Sequence, residues 1–358
     1  MKHLKKHYKI FIIMIIGLCM VLLSGSYYSI AISSATVYKI FGQWKDTLLL
    51  RLPSMSPNIQ SSNIQSGGEG MPGASFNQQR QVVNNLQVNE KRLQCRYYNE
   101  KDFKQSVNRV QLDDYGHLAE TEIIESSIKG GIVPHHLLAS NMIASFFKTI
   151  SVEQPEVVII IAPNHKGTGV KAVHTGSWSW QTPFGILEAD VDIVNSLVDS
   201  KTADMNFDLL EEDHSIAGLV PYIKYYMPDT KIVPIMLHGS FGLQNAQKLG
   251  QNLQEKLENE NKKSTIIASV DFSHYLPLEE ARQMDEISIK AIENRDINII
   301  QHFNNDYMDS PPSIIALLSA MNASGAEHMK MLDHSNSDEI AGARSSETTS
   351  YFTVVFFR

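Results

Sequence analysis

Cysteine is nearly absent: the chain of 358 residues contains two, Cys19 and Cys95. Cys19 sits in an apolar run and Cys95 opens the globular part, so neither an intramolecular disulfide framework nor a cysteine-based zinc finger can form. The motifs HExxH and CxxC are missing, and no fixed-period repeat runs through the sequence. A basic stripe is missing too. Residues 1–51 carry seven Lys/Arg and one Asp (+6), which leaves 24 basic against 38 acidic residues beyond them (−14). That balance speaks against duplex nucleic acid as a partner, because phosphate binding needs clustered positive charge. The 43% of hydrophobic residues suffices for a sizeable core in one large or two ordinary domains and excludes wholesale disorder.

The basic end reads MKHLKKHYK and is followed by IFIIMIIGLCMVLL, with no charged residue from Ile10 as far as Tyr38. About 20 apolar residues span a bilayer, and Ile10 to Ile32 supplies that length, although its second half is rich in Ser and Tyr. Residues 1–38 therefore read as a transmembrane segment or uncleaved signal anchor, with a cleaved signal peptide ending near Ser33–Ala35 as the rival. Leu18 stands before Cys19, where lipoprotein processing needs a small residue. With the positive flank cytoplasmic, the expectation is a single-pass, membrane-anchored protein that has the membrane as partner and its domain on the extracytoplasmic side, secreted if the segment is cleaved. Residues 39–90 read as a flexible tether: Pro53 to Gln79 is rich in Ser, Asn, Gln, Gly and Pro, and Glu69 is its only charge.

From residue 91 to Arg358 the composition is that of one α/β domain. Short β-branched runs (IKGGIV, EVVIIIA, KIVPIML, STIIASV and the closing TSYFTVVFF) alternate with helical stretches over Asp190–Asp199, Ser215–Tyr226, Leu243–Leu257 and Leu278–Glu293. Continuous apolar runs fit strands buried on both faces. The expected fold is a layered α/β sandwich with a mostly parallel central sheet flanked by helices. Ligands of such sheets sit beyond the carboxyl ends of the strands.

Three of these runs end in histidine: GGIVPHH with His135 and His136, IIIAPNH with His165, and ASVDFSH with Asp271 and His274; EEDHS adds His214 ahead of a helix. Imidazole is the commonest ligand for borderline metals and titrates near neutrality, so His and Asp converging on strand ends suit a metal or acid/base site. Any one of them, taken alone, is more simply a loop residue bonded to backbone. His174, His238, His302, His328 and His334 lack such a setting and read as surface or satisfied histidines, although His238 ends the third run. Of His135 and His136, adjacent in the chain, one can point inward. Trp178 and Trp180 either wall a pocket or sit in a half-buried hairpin, and Asn164 either orients a substrate or adopts a left-handed turn.

GGIVPHH, APNH, QTPFG followed by Asp190, EDHS and SVDFSHY come in the order and approximate spacing of the Memo family, also called AmmeMemoRadiSam system protein B, which the chain resembles from about Cys95 to Arg358. The resemblance implies a fold related to class III extradiol dioxygenases and a mononuclear metal. Its ligands would be His135, His165 and a cysteine of a later Cys-Gly motif. It further implies that Asp271 and His274 fall where the relatives carry an acid/base histidine, and that His214 faces the pocket. The Cys-Gly motif falls near Asp309–Ser313, where this chain has no cysteine. Without a thiolate the donors favour Fe(II), Mn(II) or Zn(II) over Cu(I), with Asp271, or failing that Asp309, as third ligand.

The functional expectation is therefore a metal-dependent oxidoreductase acting on a small molecule, with a divalent transition metal, iron first and zinc or copper after it. His274, Asp271 and His214 are its candidate catalytic residues. Two rivals stay open. One is a non-catalytic ligand- or partner-binding module that lost the family's cysteine; the other is a zinc-dependent hydrolase.

Overall fold

The computed structural model of the chain describes residues 91–112 and 127–358. Among them no helix is long and apolar enough to cross a membrane. The expectation of a transmembrane segment or signal anchor, with the membrane as partner and an extracytoplasmic domain, is corrected on that finding. Residues 1–38, whose composition suggested it, and the whole of the tether expected over 39–90 lie outside the described residues.

The strands are β1 (Leu93–Gln94), β2 (Ile128–Val133), β3 (Val157–Pro163), β4 (Val173–Thr175), β5 (Trp180–Thr182), β6 (Gly185–Leu187), β7 (Asp204–Met205), β8 (Lys231–Leu237), β9 (Ser264–Ser269), β10 (Phe272–Leu276), β11 (His328–Asn336) and β12 (Thr348–Phe357). The longer helices are α1 (Glu100–Leu112), α2 (Ser140–Ile150), α3 (Val191–Asp199), α4 (Leu243–Asn259), α5 (Leu278–Glu293) and α6 (Pro311–Ser324). Nine strands form one sheet in the order β10-β12-β2-β9-β3-β8-β4-β7, with β11 also on β12; β1, β5 and β6 form a small separate sheet. The centre, β2-β9-β3-β8, is parallel throughout. At one margin β12 runs antiparallel to β2, β10 and β11, and at the other β4 runs antiparallel to β8.

The sequence explains the parallel centre. Every residue of β3, VVIIIAP, is buried. Its alternation sends Val157, Ile159 and Ile161 into one core with α3, α4 and α6, and Val158, Ile160 and Ala162 into the other with α1 and α2. Burying such a side chain fully contributes about 1.5–3 kcal/mol, which is why both faces must be covered before these strands are stable. Glycine permits two close approaches: a Cβ on Gly131 would lie 2.5 Å from the Val354 carbonyl oxygen, and one on Gly250 of α4 would lie 2.0 Å from the Ala316 carbonyl oxygen of α6.

Helix α6 is buried continuously from Pro312 to Met321, as befits a helix apolar all round. Prolines open it, and Gly325 closes it in the left-handed conformation with φ 69°. Ser215–Tyr226, expected as one helix, is two short ones, His214–Ala217 and Val220–Tyr226. Pro221 suits the first turn of the second piece, and in a continuous helix it would leave a backbone carbonyl without its donor.

Candidate metal centre

Strands β2, β9 and β3 lie side by side, and their carboxyl ends deliver the histidines to one place. His135 follows β2 and is 1% exposed. Its backbone N–H donates to Asp271 Oδ1 at 2.9 Å, and that of His136 donates to the same oxygen at 3.5 Å. Asp271, which follows β9, thus ties the end of β2 to that of β9. The two neighbouring rings diverge: His136 pairs with the Tyr351 hydroxyl, while His135 turns to His165 and His214. The ring centroids of His135 lie 5.1 Å from each of those two, and His165 stacks on His214 at 4.6 Å. His135, His165 and His214 offer ring nitrogens within 4.8 Å of one another, a group that could hold a metal ion.

Hydrogen bonds fix which nitrogen of each ring faces the pocket. The Ser269 hydroxyl donates to the Ser215 carbonyl oxygen at 2.6 Å and so must accept from His135 Nδ1, 3.1 Å away. His165 Nδ1 lies 2.9 Å from Asp213 Oδ1, a carboxylate oxygen that can only accept. Both rings therefore carry a proton on Nδ1 and turn Nε2 inward, the orientation a metal ligand needs.

Asp309 fills the space in front of those nitrogens. It precedes α6 and is brought in by a bridge between Phe272 and Met308 and by its own N–H, which donates to the Asp271 carbonyl oxygen at 3.1 Å. Its Oδ2 lies 3.1 Å from His135 Nε2 and 3.5 Å from His165 Nε2. Both its oxygens are buried, and the two facing imidazoles are the hydrogen-bonding groups within reach of Oδ2. A buried carboxylate costs several kcal/mol unless a cation and hydrogen bonds compensate it. Two imidazole nitrogens and this carboxylate thus fit a bound cation. Asp271 is less suited to the role of third ligand: its Oδ2 is 3.7 Å from His135 Nε2, and its other oxygen is engaged by backbone N–H groups.

The charges reflect this packing. Burial alone would lower the His165 pKa, but the hydrogen bond to Asp213 and the proximity of Asp309 outweigh it and push it up to about 10. His135 is likewise raised, burial being outweighed by the charges of Asp271 and Asp309. Asp309 is held well below the usual carboxylate range, because the facing imidazoles overcome its burial. His214 is pushed down to about 4 by burial and by the neighbouring rings, and burial also lowers His274.

His274 arrives differently. Strand β10 shifts register against β12 on both sides of it, and its neighbours Ser273 and Tyr275 have φ of 30° and 62°. The left-handed region is costly for such residues, and strain of this kind clusters at functional sites. Asp285 holds the segment from behind, accepting from Ser273 Oγ at 2.6 Å and lying 3.0 Å from His334 Nε2. The Nδ1 of His274 is buried without a partner.

The other sequence candidates fall outside this cluster. Trp180 is wholly buried in the β5–β6 hairpin, and Trp178 packs edge-on against Phe207. Asn164 is not left-handed; its side chain donates to the Thr168 carbonyl oxygen. His238, after β8, pairs with Ser240. Asp213 and Ser269 were not singled out in the sequence, although an Asp immediately before a helix is an N-cap signal, and Asp213 does accept from Ser215 N–H at 3.0 Å.

Residues 97–355 match the family model described as Memo-like protein. The chain belongs to the Memo-like protein family. Relatives include a MEMO1 family protein of Pyrobaculum aerophilum, 29% identical over 237 residues that cover 64% of this chain and 83% of the relative. One of Methanopyrus kandleri is 29% identical over 253 residues, covering 68% and 88%. One of Aquifex aeolicus is 29% identical over 236 residues, covering 64% and 85%. Among solved structures, an uncharacterized protein of Escherichia coli K12 aligns with a TM-score of 0.44 and 12% identity, over 64% of this chain and all of that one. Within the family, the resemblance drawn from the motifs implied a cysteine ligand in the segment Asp309–Ser313. In this chain that segment presents Asp309.

Proposed function

We propose that this Memo-like chain is a metal-dependent oxidoreductase whose mononuclear centre is held by His135, His165 and Asp309, with iron as the metal. The observation that carries the reading is Asp309, a buried carboxylate whose Oδ2 faces the Nε2 atoms of both histidines at 3.1 and 3.5 Å. Two imidazoles and one carboxylate make the donor set of non-haem Fe(II) sites, which keep positions open, and a carboxylate in place of a thiolate disfavours Cu(I). When bound, such an ion supplies Lewis acidity and one-electron chemistry.

The chain's own residues supply the rest. His274, kept neutral at neutral pH by burial, accepts a proton from a bound substrate hydroxyl and returns it later. Asp271 holds the His135–His136 backbone, so its role is positioning. His214, also neutral, stacks on His165 and leaves a ring nitrogen for substrate or ion. A second reading has an observation of its own. The three clustered imidazoles would suit zinc with a bound water, and therefore hydrolysis.

Metal content of the full chain purified without chelator, beside the H135A/H165A double variant, separates these readings. About one equivalent of iron in the parent and none in the variant is the expected result. Zinc with ester or amide cleavage would move the assignment to the hydrolase. A folded parent that takes up no metal on reconstitution would overturn both, in favour of a binding module without turnover.

A further inference from the structure

One buried carboxylate outside the proposed ligand set governs two of the three clustered imidazoles. Asp213 is 2% exposed and spends both oxygens on the histidine cluster. Its Oδ2 accepts from the backbone N–H of His165 at 3.0 Å, and its Oδ1 from His165 Nδ1 at 2.9 Å. The same Oδ1 accepts from the backbone N–H of Ser215 at 3.0 Å, capping the short helix that begins at His214. One carboxylate thus clamps the turn after β3 to the start of the helix His214–Ala217, and so fixes the stack of His165 on His214, 4.6 Å apart with planes 13° from parallel.

We propose that Asp213 is the positioning residue of the metal centre: it holds His165 with Nδ1 protonated and Nε2 aimed at the ion, and it places His214 beside that ring. The inference rests on the metal reading given above. The two histidine ligands are supported unequally. Behind His135 stands a neutral hydroxyl, Ser269, whereas behind His165 stands a carboxylate. A carboxylate strengthens the donor power of the imidazole it accepts from more than a hydroxyl does. His165 is therefore the stronger of the two nitrogen donors, although its side chain is 32% exposed while that of His135 is 1% exposed. The electrostatic clamp does for the more open ligand what burial does for the other.

Asp213→Asn isolates this role. The amide oxygen can still accept from His165 Nδ1 and cap the helix, but the charge is gone and the amide nitrogen no longer accepts from the His165 backbone N–H. Asp213→Ala removes the acceptor and the cap together. Asp338→Asn is a control, since Asp338 is also buried and accepts from the N–H and hydroxyl of Ser345, apart from the histidine cluster. The probe is Co2+ titrated into the full chain, read by its visible absorption and by the exchangeable, hyperfine-shifted Nδ1–H proton of His165 in the NMR spectrum. We expect Asp213→Ala to weaken Co2+ binding by about 10- to 100-fold, Asp213→Asn by less, and Asp338→Asn not at all. The His165 Nδ1–H proton should exchange slowly in the parent and vanish into fast exchange in Asp213→Ala. If Asp213→Asn and Asp213→Ala bind Co2+ as the parent does, with the same spectrum, while H135A/H165A binds none, the positioning role is wrong and the metal reading stands. If the folded parent binds no Co2+, both are wrong.

Discussion

The parallel centre and the antiparallel margin both reach the histidine cluster, but they deliver residues in opposite ways. β2, β3 and β9 are regular, paired in unbroken parallel register and buried on both faces, and His135, His165 and Asp271 come directly after their ends. β10 is short, shifts register on both sides of His274, and places two non-glycine residues in the left-handed region. A metal ligand must be held in one position, which rigid strand ends do well. A proton-transfer residue needs reach instead, and a bulged strand re-aims a side chain that a regular one would leave on its ordinary face.

If this division of labour is right, substitutions in the two regions separate binding from chemistry. The largest effect should come from His274→Asn: loss of about 10²- to 10⁴-fold in turnover once a substrate is found, with metal stoichiometry unchanged. Loss of the metal together with turnover would place His274 among the ligands instead. In the regular centre, Ile160→Ala, at a side chain that is wholly buried, should cost about 2–5 kcal/mol in denaturant unfolding, as buried truncations do.

A pH series sharpens the electrostatic side of the comparison. Folded His165 keeps its proton up to about pH 10, whereas an unfolded histidine releases it near 6.5. Its contribution to the stability of the metal-free chain is fully present below 6.5 and is lost as pH rises toward 10. His214, with a folded value of about 4, has the opposite sign. The stability tied to its neutral form is present above 6.5 and is lost as pH falls toward 4. His165→Ala should flatten the alkaline limb most, and the acid limb less, because burial and His135 still hold His214 down, as read by urea midpoints across the range. The smallest effect belongs to the margin. Tyr275→Gly relieves a left-handed residue that is 67% exposed, and should leave stability within about 1 kcal/mol of the parent or raise it. A cost of several kcal/mol would mean that the bulged strand is not strained.

Much of the centre could be read from the chain, because a β-branched run that ends in histidine marks both a buried strand and the side chain displayed at its carboxyl end. The margin could not. β10 has no continuous apolar run, and its bulges depend on β12, which is distant in sequence. Helix α6 went unread because it is apolar on every side and shows no helical period. With it went the significance of Asp309, whose proximity to His135 depends on the Phe272–Met308 bridge. On the motifs Asp271 stands ahead of Asp309 as third ligand, but its Oδ1 is taken by backbone N–H groups, which no motif reveals. Asp213 and Ser269 act through hydrogen bonds to rings 48 and 134 residues away, so spacing carries no signal of them. The amino-terminal apolar segment was the clearest compositional feature of the chain, and it bears on residues outside those described.

The most direct test of the account is the metal content of Asp309→Asn beside the parent chain, both purified without chelator and reconstituted with Fe2+ under the same anaerobic conditions. The substitution keeps size, removes the charge that faces His135 and His165, and turns one carboxylate oxygen into an amide nitrogen that cannot serve as a ligand. The account predicts about one equivalent of iron in the parent and a loss of most of it in Asp309→Asn. Equal occupancy in the two proteins would contradict it and show that the centre is held by the three imidazoles without the carboxylate.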